Sequence, residues 1–197
     1  LLDEEVILVL PGGSSVVAIH RVLAPLDSRG AARASRIIYP FVPRTETVHL
    51  VAAERITPDG RRIPVPENGV LQEVPQPLAD RRVHVDVAQV AALLPGVRPG
   101  DRVEYVLVKE VDATIEGRYA TFLPVADPWP IEHARRELLL PTEMSEDLIV
   151  VPLGLPRLAQ DRHPTSSGDV SWVWTATSLP GQRLEKGRAP IRQSGPG

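Results

Sequence analysis

The sequence predicts an all-β fold, a two-layer antiparallel β-sandwich, and three observations carry that prediction. The 21 prolines are about twice the usual ~5% share and recur every few residues, which leaves little room for long helices. Apolar, β-branched runs flank Pro11-Gly12-Gly13-Ser14 and again Pro58-Asp59-Gly60, and both patterns read as hairpins. The third observation is residues 93–111. There Pro95-Gly96 and Pro99-Gly100 turn the backbone twice, and a strand follows at once. Val103, Tyr105, Leu107 and Val111 share one face of that strand, while Val106 and Val108 make the middle of the other face apolar too, which predicts a central strand covered on both sides.

In order, residues 5–10 and 15–23 form the first hairpin, around a four-residue loop. Residues 27–34 are a polar, alanine-containing connection, and residues 35–39 a third strand stopped by Pro40 and Pro43. Residues 47–57 and 61–65 make the second hairpin, and residues 70–74 an edge strand or extended loop between prolines. The segment from Arg81 to Leu94 has two readings. Asp86 could cap a helix in which Val87, Val90, Ala91 and Leu94 fall at helical spacing, but Val83, Val85 and Val87 alternate with Arg82, His84 and Asp86, which favours a strand. Residues 117–125, with Tyr119 and Phe122, are expected to return antiparallel to the central strand, and Asp127-Pro128-Trp129-Pro130 to break the sheet. Residues 131–140 predict a strand crossing to the other layer, residues 148–151 another strand, and residues 161–169 a polar loop. Val170, Trp172, Trp174 and Ala176 then line one face of a last long strand, with both tryptophans in the core. Residues 1–186 are thus expected to form one domain, and residues 187–197, with nothing to bury, a linker-like tail.

Composition narrows the function classes. A formal net charge of −3 does not supply the positive field that nucleic acid or an anionic membrane demands, and no apolar run reaches membrane-span length. The absence of cysteine excludes a thiol nucleophile, a disulfide and a thiolate metal site within these residues. No phosphate-binding glycine loop, no nucleophile elbow and no His-Glu-x-x-His pattern is present, so no catalytic, cofactor-binding or metal-ligating residue is assigned and the chain is not expected to be an enzyme.

Four weaker features have a functional reading beside a structural one. His84 and Asp86 lie two residues apart and could share a metal, although a solvated strand face accounts for them and structural zinc wants four ligands. His20, His49, His133 and His163 lack ligand spacing and read as strand-surface or loop side chains. The amides of Gly12, Gly13, Ser14 and Ser15 could cradle an anion, but their place between two strands favours a hairpin loop, since phosphate cradles usually lead into a helix. Arg61-Arg62 and Arg135-Arg136 are too small for a nucleic-acid footprint. Among the tryptophans, Trp129, flanked by prolines, is the candidate for stacking on a sugar.

Landmark order adds a family resemblance. The Pro-Gly-Gly hairpin, Ala53-Glu54-Arg55-Ile56-Thr57-Pro58-Asp59-Gly60-Arg61, the run from Leu94 to Tyr105, Asp127-Pro128-Trp129-Pro130, Leu140-Pro141, the tryptophan strand and Pro180 with Glu185 follow one another along nearly the whole chain. This order resembles the bacterial domain-of-unknown-function family thirty-eight fifty-seven, found just before transglutaminase-like domains. The resemblance implies a β-sandwich accessory domain followed, in a parent polypeptide, by a papain-like domain with a Cys-His-Asp triad. It also implies an extracytoplasmic setting, in the periplasm or at the cell surface. It carries no catalytic residue onto these positions. Two functions follow as expectations: a non-catalytic domain that positions or binds substrate for that C-terminal domain, or an independent module of the cell envelope that holds a peptide or glycan.

Overall fold

The computed structural model describes residues 1–74, 86–125, 127–151 and 158–181. It is all-β in two layers. The strands are β1 (Leu2–Val9), β2 (Ser15–Leu23), β3 (Arg36–Phe41), β4 (Glu46–Ile56), β5 (Arg62–Pro64), β6 (Val70–Glu73), β7 (Ala88–Leu93), β8 (Arg102–Val111), β9 (Ile131–Leu140), β10 (Ala159–Pro164) and β11 (Val170–Leu179), with short helices α1 (Ser28–Ala34) and α2 (Thr142–Glu146). An eight-stranded sheet runs in the order β10-β11-β9-β1-β2-β8-β4-β5, and a three-stranded sheet, β3-β7-β6, packs on one of its faces.

Alternation decides which side chains enter the core. On the larger sheet, Ile7, Val9, Val17, Ile19, Val103 and Leu107 point inward, and Ile37, Phe41, Val90 and Ala92 meet them from the smaller sheet. Three strands cannot cover eight. The remaining inner face is closed by Tyr119 and Leu123 from the loop after β8 and by Met144 and Leu148 at α2. Val103, Tyr105 and Leu107 share this core with Trp174, and Trp172 packs at its margin. The two indoles stack with centroids 6.2 Å apart, Arg162 lies over Trp172, and Trp172 Nε1 donates to Ser145 Oγ at 3.0 Å.

Several elements differ from the sequence expectation, each for a physical reason. Residues 28–34 are a helix and not a plain connection: Asp27 Oδ1 accepts the Gly30 amide at 2.6 Å, and Ala31 and Ala34 face inward. Residues 117–125 form no strand, because β2 and β4 already occupy both edges of β8, and only an isolated bridge joins Ile115 to Arg118. Residues 131–140 do not cross to the other layer. β9 pairs parallel to β1 and antiparallel to β11, so the larger sheet is mixed. Residues 148–151 are irregular, with Ile149 and Val151 exposed. Residues 159–164 are a strand although they are polar, since an edge strand exposed on both faces needs no apolar alternation. Pro40 lies inside β3, which is also an edge. In the two-way segment, residues 88–93 are a strand, while Arg81, Arg82, Val83, His84 and Val85 lie outside the described residues, as does the tail at 187–197.

The parallel seam holds a buried ion pair. Arg136 is 1% and Asp3 2% exposed. Arg136 Nε and Nη2 donate to the Pro124 carbonyl at 3.1 and 2.7 Å, Nη1 donates to the carbonyls of Asp3 and Arg135 at 2.8 and 3.1 Å, and Nη2 also reaches the Asp3 carboxylate. All five guanidinium donors are used. Arg21 Nε donates to the other Asp3 oxygen at 2.9 Å.

Truncating Leu107 to alanine is expected to cost about 2–5 kcal/mol by urea unfolding, because the side chain is enclosed on the inner face. A loss below about 1 kcal/mol would place it outside the core. Asp3→Ala should cost about 3–5 kcal/mol by leaving the guanidinium buried without its counter-charge. Replacing the pair together, Asp3→Leu with Arg136→Met, should restore most of that stability, and failure to do so would mean that the hydrogen bonds to Pro124 matter more than the charge.

Candidate functional site

The face of the larger sheet opposite the core carries the most ordered polar arrangement in the fold. Register sets Glu4 of β1 against His20 of β2, and places Glu54 of β4 against Glu104 of β8, all pointing away from the core. His20 Nδ1 meets Glu4 Oε2 at 3.1 Å and its Nε2 meets Glu104 Oε1 at 2.9 Å. Arg62 on β5 donates to Glu104 Oε2 at 2.7 Å and also binds Glu54. Further along, Arg135 and Ser171 converge on Glu137, at 2.6 and 2.7 Å. The row therefore runs across most of the sheet.

A neutral imidazole has one N–H, whereas His20 has a carboxylate at each nitrogen, so only the imidazolium donates to both. Burial alone would lower the His20 pKa, but the hydrogen bonds to Glu4 and Glu104, with their charges, more than offset it and hold the group above its ordinary value. The two carboxylates lie on opposite edges of the ring and cannot converge on one ion. Among the described residues, no group of three histidines or carboxylates is arranged to hold a metal.

A second titratable cluster lies on the inner side. Lys109 Nζ donates to Glu46 Oε1 at 3.1 Å and sits 5.9 Å from the Tyr39 ring centre. Burial pushes the Glu5 carboxyl up, opposed by Arg136, whose Nε lies 3.5 Å away. These groups are enclosed and mutually paired. Two concave surfaces lie elsewhere, one of them between Arg55, Thr57, Arg98 and Asp101 at the double Pro-Gly turn. Arg55 is part of that turn's scaffold, donating from Nη1 to the Pro95 carbonyl at 3.2 Å and also to that of Gly96.

The sequence candidates scatter. His84 is outside the described residues, and Asp86 pairs with Arg44 at 3.3 Å. His49 and His133 stand apart on outward positions of β4 and β9, and His163 lies 3.9 Å from Asp161 on the exposed edge strand. The Gly12-Gly13 loop is no anion cradle. Gly13 adopts φ 88°, and a Cβ there would lie 2.5 Å from the Arg118 carbonyl oxygen, so the Arg118 backbone fills the space a ligand would need. The two arginine pairs divide: Arg62 and Arg135 join the outward row, while Arg136 is the buried anchor. Trp172 and Trp174 belong to the core cluster and its margin. Trp129 is half-buried against α1, with the Arg33 guanidinium 5.9 Å from its ring centre, and is not a free stacking platform. Reasoning from spacing missed His20, because its partners come from two other strands, 16 and 84 residues away.

A family model described as "Domain of Unknown Function with solved-structure structure (DUF3857)" matches residues 11–183. No curated protein matches. Among solved structures, the fold is similar to that of a "putative protease" from Parabacteroides distasonis, with a TM-score of 0.73 and 14% sequence identity, over 94% of this chain and 36% of that one. The chain thus spans about a third of that protein's length.

The His20 clasp has a signed pH dependence. A histidine whose folded pKa is raised contributes stability that is fully present below its unfolded pKa and is lost as pH rises through the folded value. The difference in melting temperature between the parent and His20→Gln should therefore shrink as pH rises from about 6 to about 8. A difference that stays constant or grows over that range would show that the ring is held neutral.

Proposed function

We propose, since the chain belongs to the DUF3857 family, that it is a non-catalytic β-sandwich accessory domain. It positions or binds substrate for a C-terminal transglutaminase-like domain, papain-like in fold, in the same bacterial polypeptide, in an extracytoplasmic setting. The observation that carries the reading is the proportion in the structural match: nearly all of this chain corresponds to about a third of a longer protein described as a "putative protease". The remainder of a chain of that length has room for a separate catalytic domain.

The chemistry of the described residues supports the same division of labour. Amide cleavage or transfer needs an activated nucleophile, or metal-bound water with a positioned base. The sequence has no cysteine. His20, with a carboxylate at each ring nitrogen, is clasped on both sides. The alternative of an independent glycan- or peptide-binding module rested on Trp129, whose ring is engaged by α1.

The purified chain, assayed on a broad panel of peptide and glutamine-containing substrates with and without zinc, should show no turnover. Added to the isolated transglutaminase-like domain, it should change KM with little effect on kcat, as expected of a group that binds without entering the chemical step. Turnover by the chain alone that survives repurification and disappears on substituting His84 or Asp86 would overturn the reading.

A further inference from the structure

The open face of the eight-stranded sheet is not the polar surface that a solvated sheet face normally presents. Strands with one wet face alternate apolar inward and polar outward. Here outward positions of three neighbouring strands are aliphatic: Leu8 and Val6 on β1, Val16 and Ala18 on β2, Val108 and Val106 on β8. They are in register. Leu8 lies against Val16, and Val6 against Ala18, which in turn lies against Val108. The patch is roughly 15 Å on a side from strand spacing and rise. No described element packs on it, since both short helices and the smaller sheet contribute to the inner side or to its margins.

We infer that this face is the docking surface for the neighbouring folded domain of the parent polypeptide, with the aliphatic patch at the centre of the contact and the His20 row along its rim. The inference rests on the accessory-domain reading. Two observations choose this occupant over a second copy of the chain. One is the structural match, in which this fold is a third of a longer chain, so that a further domain is tethered beside it at high effective concentration. The other is charge. The groups bordering the patch are Glu4, Glu104, Glu110 and Glu137, with Arg62, Arg135, His20 and His49. Glu110 is exposed and outside every ion pair among the described residues. Two copies meeting face to face would oppose these carboxylates, in a chain whose net charge is already −3. A partner with an apolar centre and a lysine- or arginine-bearing rim fits. The patch alone is smaller than the ~800 Å² a standard interface buries on each side, which is why the polar row belongs to the contact.

Absence of cysteine from the chain makes the test direct. Ala18→Cys places one thiol at the centre of the patch, and Ile38→Cys places one on the outer face of the smaller sheet, where the native side chain is 46% exposed. Maleimide modification of each is followed by peptide mass spectrometry in this chain alone and in the full parent polypeptide, with melting temperatures confirming that both variants fold. Ala18→Cys should react at least about tenfold more slowly in the parent, while Ile38→Cys reacts alike in both. Equal rates for Ala18→Cys in the two contexts would overturn the proposal. So would protection that appears in this chain alone and grows with its concentration, which would indicate self-association. A neighbouring domain that lacks transglutaminase-like chemistry yet protects Ala18→Cys would retire the functional reading and leave the docking face standing.

Discussion

One buried ion pair, Arg136 with Asp3, ties together the parallel seam on which the order of the larger sheet turns. Its strands are antiparallel except where β1 meets β9, and the two partners at that seam are 133 residues apart. Nothing local brings them together. Arg136 reaches across with a full set of donors, taking carbonyls on β1, on β9 and at Pro124 in the loop that closes the inner face. One side chain thereby satisfies the strand pair and the cover over it. Placing β9 beside β1 makes β1 an interior strand and extends the open face continuously from β5 to β10. Had β9 joined the smaller sheet, β1 would have been an edge and the outward polar row would have ended at Glu4.

The apolar parity of the central strand takes on its meaning from this layout. Val106 and Val108 predict a strand buried on both sides, and the structure covers one side of it. On a lone strand, two outward valines need no explanation, since apolar atoms make up much of any protein surface. Their continuation through Ala18 and Val6 in register is different, because each strand could have carried a polar residue there at no cost to the core. The same sheet does so two residues away, at Glu4, His20 and Glu104. Polar and aliphatic rows side by side on one face are the pattern of an interface with a dry centre and a hydrogen-bonded rim.

How far the sequence was legible depended on whether the controlling contacts were local. Both hairpins, the double Pro-Gly turn, the strand at 102–111 and the tryptophan strand were readable because turn chemistry and alternation are written within a few residues of each element. The first hairpin shows the limit. A loop at 11–14 would set Leu10 against Ser15, and so Glu5 against His20. In the structure the connection is one residue longer, Gly13 takes a positive φ, Val9 faces Ser15 and Glu4 faces His20. That single-residue shift decides which carboxylate is outward and which is buried, and with it whether the clasp can be seen at all. The strand expected at 117–125 failed on a non-local ground, since β8 had no free edge. The edge strand β10 and the helix α1 were hidden for the opposite reason, having too few apolar residues to announce a period.

Several charged groups among the described residues are held by named neighbours. Arg136, Arg21, Arg62 and Arg135 each spend donors on named carboxylates or carbonyls. His20 is the exception in kind. Its protonation state changes the charge of the open face by one unit, in the middle of the rim and within hydrogen-bond reach of two carboxylates. A basic partner surface laid against that rim would compete with the imidazolium for Glu4 and Glu104. By linkage, what weakens the partner when His20 is protonated must equally lower the His20 pKa when the partner is bound. With a partner on this face, the clasp would therefore tie the proton on His20 to that contact, through the same carboxylates that define the rim.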